Sequence, residues 1–284
     1  MRTINMAKIK NGKSLVVKQE TTSLALPDYI KGNEQTGMEA LGKDDFKVTR
    51  IKLLQPLNPE VRTFSGKAIP GEFWHTGVNQ SLGAEFIGVP ILISKKVVVW
   101  PPDQDIGSPM LAYSKDGVHW QTGGNMVHEV AIKGSKEPRK IFTGKNVADS
   151  GLLNFGTEDP TDTNSPPLAT LFYDYLLFLP DHPQWSPVVM SMYRTSVSTA
   201  RNLNTYMLSR RIPINCNRIK FFSEEDSKDK YNWFAHRFDP SGNALKEEFE
   251  ITEKMKETYG DYEVDVENVT AQKMSDVVGD KIPF

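Results

Sequence analysis

Basic and aromatic side chains are interleaved between residues 193 and 237, and this segment has the clearest capacity for chemistry. Proteins that bind single-stranded nucleic acid without sequence preference combine cations that contact the phosphates with aromatic rings that stack on the bases. The candidates are Tyr193, Arg194, Arg201, Tyr206, Arg210, Arg211, Arg218, Lys220, Phe222, Tyr231, Trp233 and Arg237. Trp100 and Trp120 are further aromatic residues that could line the same groove.

A strand predicted over residues 218–222 shows how the two residue types would cooperate. Because side chains alternate between the faces of a strand, Arg218, Lys220 and Phe222 share one face. Two cations and an aromatic ring suit phosphates and bases better than they suit a core. Two other interpretations stay open: the aromatic residues could be core residues, and Arg210 and Arg211 could compensate a helix dipole.

Residues that could form a catalytic or metal centre are few. No two of the five histidines have zinc-binding spacing, and the single Cys216 excludes a multi-cysteine site. The chain has no complete P-loop and no nucleophile elbow. We therefore predict no enzymatic activity, no metal and no cofactor. Asp159 and Asp162 could hold a divalent cation, although solvated loop acids are the simpler interpretation.

The hydrophobic pattern predicts the elements that position these residues. Apolar, β-branched and aromatic runs predict strands at 48–54, 86–93, 97–100, 111–114, 119–120, 169–179, 187–193, 218–222 and 231–238. The most apolar run, 169–179, is predicted to be a central strand that pairs with 187–193, and the strands at 111–114 and 119–120 are predicted to bracket a hairpin turn. Ala200, Leu203 and Met207 form an apolar stripe at helical spacing that predicts a helix over 198–211, and a similar pattern predicts one over 245–259. The charged segment 223–230 is predicted to be a turn, and residues 239–242 are predicted to end the sheet.

These elements favour a mainly β fold, a five-stranded barrel with insertions, because strands and helices do not alternate. We divide the chain into a polar extension (1–45), a β-rich domain (46–240), a C-terminal helix (241–260) and a tail (261–284). Neither a signal peptide nor an apolar run long enough to span a bilayer is present, so we expect a soluble, cytoplasmic protein.

The tail is acidic, with six Asp or Glu residues and two Lys residues, and the chain finishes with Ile282, Pro283 and Phe284. The whole chain has a formal charge of -2 and the tail one of -4, which leaves the remainder at +2. A mildly basic body with an acidic tail is typical of nucleic-acid-binding proteins. An apolar tip with a carboxylate suits a partner that offers a hydrophobic pocket with a basic rim.

This tip resembles that of bacterial single-stranded DNA-binding proteins, which end in an acidic run followed by Ile-Pro-Phe. Lys281 departs from that pattern, because an acid is expected before Ile282. The rest of the chain resembles the larger phage-encoded single-stranded DNA-binding proteins, which are built on the oligonucleotide-binding (OB) fold. The strand around Arg50 and the order of strand, helix and strand pair carry this second resemblance.

The resemblance implies an OB-like domain that binds single-stranded DNA during phage replication and recombination in the host cytoplasm. It also implies that Asp280, Ile282, Pro283 and Phe284 recruit replication and repair proteins. A homo-oligomer is compatible with it, and no membrane partner is expected. Two alternatives stay open: a metal-dependent nuclease that processes DNA, and a virion structural protein.

Overall fold

A computed structural model describes residues 48–101, 110–121, 126–130, 136–144, 146–228 and 231–260, with only the backbone of Met126, Lys228 and Tyr231. The extension 1–45 and the tail 261–284 predicted from the sequence lie outside these ranges. The strands are β1 (Thr49–Leu53), β2 (Phe73–His75), β3 (Gln80–Gly83), β4 (Glu85–Val99), β5 (Ala112–Ser114), β6 (Met126–Val130), β7 (Arg139–Gly144), β8 (Ala169–Phe178), β9 (Val188–Tyr193), β10 (Asn217–Lys228) and β11 (Tyr231–Asn243). The helices are α1 (Pro59–Thr63), α2 (Val147–Ser150), α3 (Val197–Ser209) and α4 (Lys246–Tyr259).

One sheet of nine strands dominates the fold. Its order is β11-β10-β4-β8-β9-β1-β2-β3, with β5 also paired to β4, while β6 and β7 form a separate two-stranded sheet. The large sheet is curled into a half-barrel. This confirms the predicted mainly β, OB-like fold with an embedded helix and a C-terminal helix, although the sheet has more strands than the expected five.

Strand β8 lies at the centre of the core, as its apolar run predicted. Tyr175 and Leu177 point to one face, where the α3 residues Ala200, Leu203 and Met207 pack against them. These three residues are the predicted apolar stripe of the helix, and all are buried. The hydroxyl of Tyr175 donates hydrogen bonds to the carbonyl of Ala200 (3.2 Å) and to Asn204 Oδ1 (2.9 Å).

The opposite face of β8 is covered by α4. Leu176 and Phe178 point to this face, because side chains alternate along the strand, and Met255 and Tyr259 of α4 pack there. The two long helices therefore lie on opposite faces of the sheet. Within the described ranges, no helix combines the length and apolar character needed to cross a membrane.

Strands β10 and β11 are longer than predicted. Residues 223–228 of the charged segment that was expected to be a turn extend β10 as far as Lys228, so that Asp226 lies opposite Trp233. Strand β11 also runs through Asp239 and Pro240, which were predicted to end the sheet, and reaches Asn243. Proline lacks an N–H group, and a strand at the edge of a sheet, such as β11, tolerates it.

Two other predictions differ from the structure. The runs 86–93 and 97–100 form one strand, β4, because a bulge between Pro90 and Leu92 accommodates the proline. His119 and Trp120 were predicted to pair with β5, but His119 instead forms an isolated bridge with Asn146.

The side chain of Gln55 links the segment after β1 to β11, the strand at one edge of the curled sheet. Gln55, just after β1, donates from Nε2 to the carbonyl of Phe234 and accepts from its N–H, both at 2.9 Å. Phe234 belongs to the edge strand β11. The side-chain amide thus takes the place that a neighbouring strand would occupy.

Candidate nucleic-acid interface

The cations predicted on strand β10 are paired with carboxylates. Arg218 Nε lies 3.8 Å from Glu248 Oε2, and Glu248 is a buried residue of α4. Lys220 Nζ lies 3.1 Å from Glu85 Oε2 on the neighbouring strand β4. Arg218 therefore holds α4 against the sheet, and Lys220 bridges two strands.

Arg237 on β11 is paired with two carboxylates rather than one. It donates from Nε to Glu224 Oε2 (2.9 Å) and from Nη2 to both carboxylate oxygens of Asp226 (2.8 and 2.9 Å). Burial alone would lower the pKa of Arg237, but hydrogen bonding and charge from Asp226 and Glu224 raise it. The acids expected in a turn thus neutralise the face that the sequence predicted to contact phosphates.

Two of the predicted aromatic residues of this strand pair, Phe222 and Trp233, are half-buried. Lys220 Nζ lies 5.5 Å from the centre of the Phe222 ring, in a cation–π arrangement. Trp233 faces the carboxylate-bearing Asp226 across the strand pair. Tyr231 is described only by its backbone, which pairs with Lys228. The strands therefore bring together aromatic residues and cations, but interleave acids among them.

Three predicted groove residues pack within the protein. Trp100 is 1% exposed and Trp120 is 5% exposed, so neither ring offers a face to a base. Trp120 also donates from Nε1 to the carbonyl of Thr143 (2.7 Å). Tyr193 is half-buried and packs on Phe172, with ring centroids 4.9 Å apart. We therefore correct the sequence prediction and assign Trp100 and Trp120 to the core.

The arginines of helix α3 have different surroundings from those of the strands. Arg201 and Arg211 are exposed, and within the described residues neither has a carboxylate partner. Within the part of the chain that the structure describes, Arg210 donates to neutral oxygens: Tyr206 Oη (3.3 Å), Asn217 Oδ1 (3.0 Å), Gly242 O (3.5 Å) and Asn243 Oδ1 (2.5 Å). These contacts fix its position without neutralising its charge.

The absence of nearby acids in the sequence contributes to the surroundings of the arginines near α3. From His182 to Ser223 the chain contains no Asp or Glu, yet it carries six Lys or Arg residues. Acids can reach this segment only from elsewhere in the fold, as Glu85 and Glu248 do for β10. The acid-free segment is visible in the sequence, but it also contains Arg218 and Lys220, which are paired with acids from other elements. The contrast between these strand cations and the arginines near α3 is therefore visible only in the folded protein.

Two arginines that flank α3 have unusual backbone conformations. Arg194 has a φ of 51° and Arg211 a φ of 53°, both in the left-handed region. For a residue other than glycine this conformation costs about 1–2 kcal/mol. Such strain is often found where function fixes the residue type.

We define the α3 surface as Arg194, Arg201, Tyr206, Arg210 and Arg211. Tyr206 is half-buried, and the Arg210 guanidinium lies 5.9 Å from the centre of its ring. Leu208 lies within the same stretch and is 80% exposed. This part of the chain thus offers an arginine beside an aromatic ring, together with an exposed apolar side chain.

The structure gathers no metal site in the described ranges, where no group of three or more potential metal ligands occurs. Asp159 Oδ1 accepts hydrogen bonds from the N–H and hydroxyl of Thr161, and Asp162 Oδ1 accepts one from the N–H of Asn164. Both carboxylates therefore stabilise turns. The tail residues proposed to bind partners, Asp280, Ile282, Pro283 and Phe284, lie outside the described residues.

Comparison with known proteins gives one family. The model of the family described as Pam3 phage gp34-like protein matches residues 18–265, which is most of the chain. No curated protein and no solved structure matches the chain significantly. The chain therefore belongs to the Pam3 phage gp34-like protein family, and it is a phage protein.

Proposed function

We propose that this phage protein binds single-stranded DNA without sequence preference, and that the α3 surface contacts the DNA during phage replication or recombination. The observation that carries the proposal is the charge distribution around α3. Arg201, Arg210 and Arg211 keep their charges uncompensated by carboxylates within the described residues, whereas the strand cations do not.

The chemistry of this surface fits a flexible polyanion. Guanidinium groups donate hydrogen bonds to phosphates, and each contact releases a counterion from the DNA. The Tyr206 ring and the exposed Leu208 can contact bases, which are accessible only when the strands are separated. None of these groups reads a base edge in a fixed geometry, so sequence preference should be weak.

Fluorescence anisotropy of a labelled oligo-dT at two salt concentrations tests this proposal. Arg201→Gln and Arg211→Gln should each weaken binding and lower the salt slope by about 0.7 per lost phosphate contact. Lys220→Gln is the matched control, because it removes the same charge from a cation already paired with Glu85. The proposal fails if the protein does not bind oligo-dT, or if all three variants behave alike.

The alternatives give different outcomes in the same samples. Magnesium-dependent cleavage of the oligonucleotide would favour a nuclease. Concentration-dependent assembly without DNA affinity would favour a virion structural protein. Recruitment of replication proteins by the acidic tail stays a prediction from the sequence.

A further inference from the structure

Two aromatic rings are stacked in the loop between β8 and β9. The rings of His182 and Trp185 have centroids 4.2 Å apart and planes inclined by 10°. Both side chains are half-exposed. A parallel stack that reaches solvent provides a flat surface on which a further ring can stack.

The loop holds this stack in place through its backbone. The N–H of His182 donates to Leu179 O (3.1 Å), that of Trp185 to His182 O (3.0 Å) and that of Ser186 to Pro183 O (3.1 Å). Ser186 Oγ in turn accepts from the N–H of Leu179 (2.8 Å). These bonds order the loop backbone that carries the two rings, so a ligand that stacks on the rings has less conformational entropy to remove than on a loop without such bonds.

The buried side chain of His75 is hydrogen-bonded to the loop that carries the stack. His75 Nδ1 accepts from the N–H groups of Gly77 (3.2 Å) and Val78 (3.3 Å), so its proton is on Nε2. Nε2 lies 3.2 Å from the carbonyl of Trp185 and donates to it. Burial lowers the pKa of His75, which keeps the ring neutral and preserves this arrangement. The His75 and Trp185 rings are 5.6 Å apart.

The stack and the α3 surface border the same hydrophobic cluster of the core. Trp185 and Tyr206 both pack against the hydrophobic cluster that contains Ala200, Leu203 and Met207. His182 is also the first residue of the acid-free segment that ends at Ser223. The exposed Asp181 is the carboxylate nearest to the stack in sequence.

We propose that the His182–Trp185 stack is a binding platform for an unpaired nucleobase of single-stranded DNA. This inference rests on the proposed function, and it adds a base-binding site that lies outside the α3 surface. A base would stack on the ring of His182, because Trp185 packs against the core cluster. The phosphates on either side of that base would remain available to arginines. Stacking is tolerant of sequence, because every base has a π-face.

The test compares full-length variants with labelled oligo-dT and with an abasic oligomer of the same length. His182→Ala should weaken binding of oligo-dT about tenfold, a typical effect of removing one stacking ring, without changing the salt slope. Binding of the abasic oligomer should not change. His182→Phe should restore the affinity, because it keeps a ring. Trp185→Phe should reduce the quenching of intrinsic fluorescence by oligo-dT.

The outcomes separate the two proposals. If wild-type protein binds oligo-dT through Arg201 and Arg211 but His182→Ala binds both oligomers as wild type does, the platform is wrong and the proposed function stands. An equal loss for both oligomers also contradicts stacking. If wild-type protein binds neither oligomer, both proposals fail.

Discussion

Ser196 and His236 are joined by two hydrogen bonds at the start of helix α3. Ser196 Oγ is hydrogen-bonded to Nδ1 of His236 (2.9 Å), and the backbone N–H of His236 donates to Ser196 Oγ (3.3 Å). The pair is buried, and it links the edge strand β11 to the segment that leads into the helix. Burial, followed by the charge of Arg237, lowers the pKa of His236 from 6.5 to about 4.

This shift predicts that acid destabilises the protein between about pH 6.5 and pH 4. In that range the unfolded state binds a proton at His236 and the folded state does not, so the free energy of unfolding decreases as pH falls. The loss should be about 1.4 kcal/mol per pH unit, and none is expected from this residue above pH 6.5.

Urea unfolding at several pH values, compared with His236→Asn, measures this contribution. The variant should be less stable at pH 7.5 but should have a shallower pH dependence. Parallel curves for the two proteins would show that His236 is not the group responsible.

Arg211→Gly should separate DNA binding from stability. Because Arg211 has a φ of 53°, glycine relieves backbone strain, and the free energy of unfolding should stay unchanged or rise by up to about 1 kcal/mol. DNA affinity and its salt slope should nevertheless decrease, since a cation of the α3 surface is lost. Arg211→Lys keeps the charge and should bind almost as wild type does. Unfolding by urea and anisotropy with oligo-dT give the two readouts.

Arg237 should contribute to stability rather than to DNA binding. A double-mutant cycle of Arg237→Met and Asp226→Asn should give a coupling energy of about 0.5–1 kcal/mol, because the ion pair is partly exposed. Affinity of Arg237→Met for oligo-dT should stay within about twofold of wild type. A loss of affinity as large as that of Arg201→Gln would show that β10 and β11 take part in DNA binding.

Gln55→Ala should weaken the fold and expose the edge of the sheet. It leaves the N–H and carbonyl of Phe234 without their partner, at an expected cost of about 1–3 kcal/mol. Gln55→Glu keeps only the hydrogen-bond acceptor, so its free energy of unfolding should lie between those of the wild type and of Gln55→Ala. Light scattering should show concentration-dependent association of the alanine variant, since unpaired edge strands pair with other chains. A fully stable, monodisperse alanine variant would contradict this role.

The sequence predicted the elements whose hydrophobic patterns are local. The apolar run 169–179 predicted β8, its pairing with β9 was predicted as observed, and the stripe of Ala200, Leu203 and Met207 predicted the buried face of α3. In each case nearby residues determine the periodicity. Long-range contacts only place these elements relative to one another.

The charge pairing of the candidate residues was not predicted, because it depends on contacts between distant segments. Glu224 and Asp226 had the composition of a turn, and only the register of β10 with β11 places them beside Arg237. The burial of Trp120 likewise depends on residues distant in the sequence, such as Val97 and Leu168, which belong to the same hydrophobic cluster. His182 and Trp185 were not singled out, since their loop was treated as a connection between strands.

The hydrogen bonds between Gln55 and Phe234 also constrain the order of folding. They join residues separated by 179 positions, so they cannot form until nearly all of the described chain has been synthesised. The pairing of β4 with β10 has a similar requirement. On the ribosome, the edge of β4 that pairs with β10 therefore stays unpaired until β10 has been synthesised. The sheet can be completed only after β10 and β11 emerge.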